Sequence, residues 1–157
     1  MAAGDILKEA LLIIQEQTVK VNEDIEKGEI VINDGAGILA AVAGTIGSFM
    51  MALESHDYSE VSTHKVKCVK VGCVTVQKVA VTGGGKKGQP VMISATAGEV
   101  TLFVKGDAPA GGDTTYYTAT IEAGVQTALD KNLGIVGVLN EDAADADLTA
   151  KIWIGVK

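Results

Sequence analysis

The chain has 157 residues, 47% of them hydrophobic but only 4% aromatic, and a formal net charge of −7. That length fits one domain with a real core, or two very small ones fused. So acidic a chain repels phosphate backbones and anionic lipid, which excludes nucleic acid and membranes as expected partners.

Val, Ala, Ile and Gly carry the apolar content, and nineteen glycines stand against two prolines. This is the composition of a compact β fold with many tight turns. No stretch reaches the roughly 18–20 apolar residues of a membrane span. The start Met1-Ala2-Ala3-Gly4-Asp5 has no basic region, so synthesis and folding in the cytoplasm are expected.

Along the chain, Asp5 to Gln17 reads first as a helix. Ile6, Ala10, Ile13 and Gln17 share one face, Leu7, Leu11 and Ile14 lie beside it, and Asp5 can cap the start. A helix this apolar needs a partner surface. From Thr18 the period changes to two. A turn over Glu26 to Glu29 leads into a strand at Ile30 to Ile32, and Asn33-Asp34-Gly35 is a turn signal. Ile38 to Val42 and Phe49 to Glu54 read as apolar strands around a break at Gly44 to Gly47. His56 to His64 is a polar loop. Lys65 to Val81 alternates well and reads as two strands with a turn or bulge at Gly72.

Gly83 to Gly88 is a turn. Strands follow at Pro90 to Ser94 and Glu99 to Lys105, with a turn at Ala97-Gly98. Gly106 to Asp113 is a loop, Tyr116 to Glu122 a candidate strand, and Ala123 to Asn132 a candidate helical turn. Leu133 to Asn140 is apolar, Glu141 to Asp147 an acidic loop, and Lys151 to Val156 the closing strand. The fold class expected is therefore mainly β, a small β-barrel or β-sandwich with an N-terminal α-helix. Residues 1–17 form the helix or arm, and residues 18–157 the β domain. Glu26 to Ile32 resembles Lys86 to Ile93, which makes residues 24–72 and 84–157 candidate repeated halves.

Converging reactive groups are not evident. His56, His64, Cys68 and Cys73 can sketch a metal site, but His-x3-Cys-x4-Cys is not a zinc spacing and no second ligand pair follows. The cysteines are five apart, so on a strand they face opposite ways. A disulfide then needs a bulge at Gly72, and both thiols are expected to be reduced. In Gly83-Gly84-Gly85-Lys86-Lys87-Gly88, Gln89-Pro90 replaces the Lys-Ser/Thr of a phosphate loop, and a strand follows instead of a helix. Gly47-Ser48-Phe49 lacks the nucleophile elbow. Glu141, Asp142, Asp145 and Asp147 lack the spacing and central glycine of a calcium loop. No catalytic, cofactor-binding or metal-ligating residue is assigned, no cofactor is expected, and the chain is not expected to be an enzyme.

Five segments resemble the small capsid decoration proteins of tailed viruses, also called cement or head-stabilising proteins. They are Thr75 to Val81, Lys87 to Val91, Gly98 to Thr101, Gly134 to Leu139 and Ala150 to Ile154. Lys27 to Val31 and Gly35 to Ile38 resemble the first half of that pattern, so the likeness covers roughly residues 24 to 157. The segments 5–17 and 116–132 depart from it. The resemblance implies a homotrimer on the outer capsid surface of the virion, at local threefold positions, clamping neighbouring copies of the major capsid protein. Attachment is then expected through residues 1–17 and the loops Ser55 to His64 and Gly106 to Thr115. The alternative from another class is a small-molecule or carrier-type binding β-barrel without catalytic activity.

Overall fold

The computed structural model describes residues 3–4, 6–81, 84–103, 123–126, 129 and 132–155, with β1 side chains described from Leu12 on. The fold is mainly β, a single antiparallel sheet curled as a half-barrel. Its strands are β1 (Ile6–Thr18), β2 (Ile30–Asn33), β3 (Ile38–Ala40), β4 (Met50–Ala52), β5 (Lys65–Gln77), β6 (Pro90–Ile93), β7 (Val100–Leu102), β8 (Ile135–Leu139) and β9 (Thr149–Ile154). They run in the order β3-β2-β4-β5-β9-β8-β6-β7, with β1 on β5.

Two expectations are corrected. The segment expected as an N-terminal α-helix is strand β1, antiparallel to β5 from Ile6↔Val74 to Thr18↔Lys65. Its spacing satisfies a helical pattern only because apolar residues fall on both faces. A strand of that kind shows no two-residue alternation, and the pairing with β5 decides the outcome. Likewise Gly72 does not split β5, which runs unbroken from Lys65 to Gln77. The irregularities lie in the register against β1, between Ile6 and Ile14, and one of them spans Gly72, so the expected bulge, not the turn, is the reading that fits there. Residues 123–126, 129 and 132–133 are helical, matching the short helical turn. The loop 106–113 and the strand 116–122 fall outside the described residues.

Two halves repeat one strand plan. A bridge and two hydrogen bonds show the match most clearly. Glu26 N donates to Glu29 Oε2, as Lys86 N donates to Gln89 Oε1. Gly28 N donates to Ala52 O, as Gly88 N donates to Leu139 O, both glycines at φ near +88°. Val19 bridges Ile38 in parallel, as Lys78 bridges Val100. The ladder Thr18↔Lys65 corresponds to Gln77↔Thr149. The first half is thus β1-β5-β4-β2-β3 and the second β5-β9-β8-β6-β7. Strand β5 belongs to both: it ends one half and begins the next.

The inner face of the first half packs Val19, Ile25, Val31, Ile38, Ala52, Val66 and Cys68. The second half encloses Val91, Val100, Leu139, Ala150 and Ile152, in a larger cluster that also takes in Ile30, Ile32, Met51 and Val69 from the outer face of the first. The two halves are therefore welded by apolar burial as well as by hydrogen bonds. Ile30 N donates to Gly98 O at 2.7 Å, Gly98 N to Ala41 O at 2.8 Å, and Gln77 N to Gly28 O at 3.2 Å.

The turn pair yields a prediction. Burial raises the Glu29 carboxyl above its ordinary range, against the opposing hydrogen bond from Glu26 N. The folded state therefore disfavours its ionised form, a penalty that grows as pH rises above the ordinary carboxylate range and is absent below it. The second half already carries neutral Gln89 at this place. Glu29→Gln is expected to raise Tm at pH 7 by no more than about 2 °C, since the group is partly solvated. The gain should vanish when the melt is repeated near pH 4.

Candidate functional site

The loop between β4 and β5 is tied down at three points. Ser55 Oγ accepts from Lys27 N at 3.0 Å, Asp24 Oδ1 accepts from Tyr58 N at 2.8 Å, and His56 exchanges both backbone hydrogen bonds with Ile25. These bonds turn the His56 ring inward, leaving it only 4% exposed. Its Nε2 lies 3.2 Å from Nδ1 of His64, so one ring must carry the proton between them. Tyr58 stacks on His64 with ring centres 3.9 Å apart and meets His56 edge-on. Hydrogen bonds from Ser59 hold the Asp57 carboxyl below its usual range.

The structure thus brings together two of the four residues in the His/Cys set. The cysteines form no disulfide and are buried, and Cys68 donates weakly to Val66 O. Burial, helped by Glu54, pushes its thiol up to about 12, so it offers neither a thiolate ligand nor a nucleophile near neutrality. Among the described residues no group of three His, Cys, Asp or Glu side chains is placed to hold a metal ion.

The remaining candidates have structural partners. Lys86 Nζ meets Asp142 at 2.9 Å, and Lys87 N donates to the other oxygen of the same carboxylate. These contacts hold the Asp142 carboxyl below its usual range. Glu141 pairs with Lys151 at 2.7 Å, and Asp147 accepts from Ala144 N. Gly85 bridges Ala143, and the glycine turn leads into β6. Glu141, Asp142 and Asp147 rim a polar recess of about 180 Å³ that also holds Thr75. Ala143 in this recess corresponds to His56 in the first half, where the imidazole and Tyr58 fill the space. Gly47, Ser48 and Phe49 line an open cleft of about 410 Å³ with Lys70, Val71 and Val136.

Lys78 was not singled out by the sequence. It corresponds to Val19 and is 1% exposed. Its ammonium donates to the carbonyls of Val79 at 2.9 Å and Asp147 at 2.7 Å. Lys78→Ala is expected to cost about 2–4 kcal/mol, from a cavity of three methylenes and an ammonium and from two orphaned carbonyls. Lys78→Met keeps the stem and removes a buried charge, so it is expected to cost about 1 kcal/mol or less. Urea denaturation of the two variants separates stem from ammonium.

Two surfaces among the described residues carry apolar side chains without an assigned role. On β1, Ile13 is 49% and Ile14 44% exposed, although the corresponding Gly72 and Cys73 on β5 are buried. The outer face of the second half carries Pro90, Met92, Phe103 and Val138, all half-exposed. The pairings Pro90↔Val138 and Val138↔Trp153 set them on one face. The counterparts Ile30, Ile32, Ala41 and Met51 are buried. The sequence held a signal for this face: β6 and β8 are apolar at successive positions, which marks strands covered on both sides. Compared with known proteins, the chain matches no family model, no curated protein and no solved structure.

Proposed function

We propose that the chain is a structural virion protein, a decoration or cement protein that binds the outer capsid surface of a tailed virus and stabilises the head. Its partners on this reading are further copies of itself, as a homotrimer, and the major capsid protein. The residue resemblance over 24 to 157 motivates the reading. The observation that carries it is a pair of apolar surfaces among the described residues, the exposed Ile13 and Ile14 on β1 and the partly exposed outer face of the second half. Contiguous apolar area of this kind marks association between proteins. In the loop at residues 55–64, Glu60 to Thr63 are exposed while His56 and Tyr58 anchor the base, which gives a capsid contact a firm footing. The test is co-sedimentation with capsids of a virus that encodes the chain, stripped of it beforehand. Saturable binding is expected, with a rise in the temperature at which the particles release DNA. Failure of both at stoichiometric excess overturns the proposal.

A second reading, the non-catalytic binding barrel, is favoured by the cleft of about 410 Å³ beside Phe49 and Val136. Small apolar ligands that raise Tm in proportion to occupancy would support it.

A further inference from the structure

We propose that copies of this chain associate head-to-tail, the outer face of the second half of one copy docking on the β1 side of the next. The inference deepens the self-association in the reading above and rests on it only for the closed ring.

The internal repeat supplies the argument. Within one chain, the first half presents Ile30, Ile32, Ala41 and Met51 to the second and buries them there. Its Gly28 turn reaches the end of β5, where Gln77 donates to Gly28 O, and its segment 30–43 receives the turn at residues 94–98. The same structural positions recur in the second half, where the described residues leave them partly uncovered. Pro90, Met92, Phe103 and Val138 are half-exposed on the matching face. A β-carbon on Gly88 would meet nothing within 4 Å, whereas one on Gly28 would strike Ala3 and Gly4.

The receiving side is open in the same way at the other end. The end of β1 corresponds to the end of β5, yet residues 13–16 are exposed where the corresponding residues 72–75 are buried. Among the described residues β1 pairs only with β5, apart from the bridge of Val19 to Ile38. The turn at residues 34–36, counterpart of the turn at 94–98, is exposed too. Among the described residues, one chain thus has a donor face without a receiver and a receiver without a donor. A second copy supplies both, with strand-edge pairing on β1 as part of the contact.

Such an interface joins unlike surfaces, so it is heterologous and yields a ring or a filament. A trimeric ring would place six halves in one closed circuit. The receiving side is more polar between chains than within one. Gln15, Gln17 and Asn33 stand where Val74, Val76 and Ile93 stand in the second half. The intermolecular contact is therefore weaker than the weld inside the chain, and the assembly is expected to dissociate on dilution.

The experiment uses two full-length variants, Ile14→Lys to block the receiver and Met92→Lys to block the donor. Each is first checked for a melt like that of the wild type, with Pro90→Lys replacing Met92→Lys if the latter fails to fold. Light scattering should show each variant as a monomer of 16.1 kDa at concentrations where the wild type is assembled. An equimolar mixture should form a one-to-one dimer and nothing larger, because each variant keeps one working surface. A wild type that stays monomeric throughout, or variants of unchanged size, overturns the inference. So does a mixture that remains monomeric. Particle binding measured on the same proteins separates the two proposals. Binding without head-to-tail assembly removes this one alone, and assembly without binding removes the capsid reading alone.

Discussion

Gly137→Ala is expected to be among the most destabilising single substitutions in the sheet. A β-carbon at Gly137 would fall on the carbonyl oxygen of Trp153, with the carbonyl carbon at 2.9 Å and Ile154 Cα at 3.2 Å. These are backbone atoms of the neighbouring strand, and they cannot swing aside as a side-chain tip does. Relief requires β8 to part from β9, breaking the ladder of Gly137↔Ile154, Val138↔Trp153 and Leu139↔Ile152. That ladder holds Val136, Leu139, Ile152 and Ile154 in the main core. The cost is expected to exceed about 4 kcal/mol, a large share of the roughly 5–15 kcal/mol that holds a domain of this size together. Gly88→Ala is the control. It has open space around it and a left-handed φ of +87°, so its cost is the conformational strain alone, about 1–2 kcal/mol. Far-UV circular dichroism and urea titration of the two variants decide the matter. A Gly137→Ala protein that melts cooperatively within a few degrees of the parent would refute the argument.

How far such a structure can be read from sequence depends on whether a residue's neighbours are close in the chain. The turn and strand at residues 26–33 were legible because the turn glycine and the β-branched run are local signals, and the same holds at residues 86–93. The closing strand was legible too, since β9 alternates buried and half-buried residues along its length. β1 was not legible. Its pattern suits a helix as well as a strand, and the partner that decides, β5, lies some fifty residues away in the chain. Gly72 misled in the opposite sense. Glycine in a strand often marks a break, yet here β9 pairs with β5 from Gly72 onward and carries the strand through that position. The proximity of His56 to His64 is likewise tertiary, set by the Ile25 bridge across the barrel wall. The two cysteines, expected to be reduced, form no disulfide, and both are buried because β5 has buried residues on both of its faces. The apolar outer face of the second half needed the strand correspondence between halves, which a short run of similar residues hinted at and the register makes explicit.

Removing residues 1–18 is expected to abolish the cooperative melt. On the sequence alone that segment reads as an attachment arm, and its deletion would spare the β domain. In the sheet it is the partner of β5 along nearly the whole of that strand. Gly4 N also donates to Thr75 O at 2.7 Å. Little of the loss would come from the side chains of residues 13–16, which are exposed. It would come from the backbone ladder, whose several hydrogen bonds contribute about 0.5–1.5 kcal/mol each. Further loss would come from baring the strand that both halves share. β5 carries Val66, Cys68 and Val69 for the first half and Val74 and Val76 for the second, so loosening it weakens both cores at once. One shorter truncation and one substitution separate ladder from arm. Removing only residues 1–5 spares β1 and forfeits the Gly4 hydrogen bond and the packing of Ala3 on Gly28, which should cost about 1 kcal/mol. Glu16→Gln breaks the surface pair with Lys65, whose side chains are both about half exposed, and should change Tm little. If the chain lacking residues 1–18 instead melts cooperatively near the parent temperature, β1 is dispensable to the sheet, and its exposed isoleucines then act in association alone.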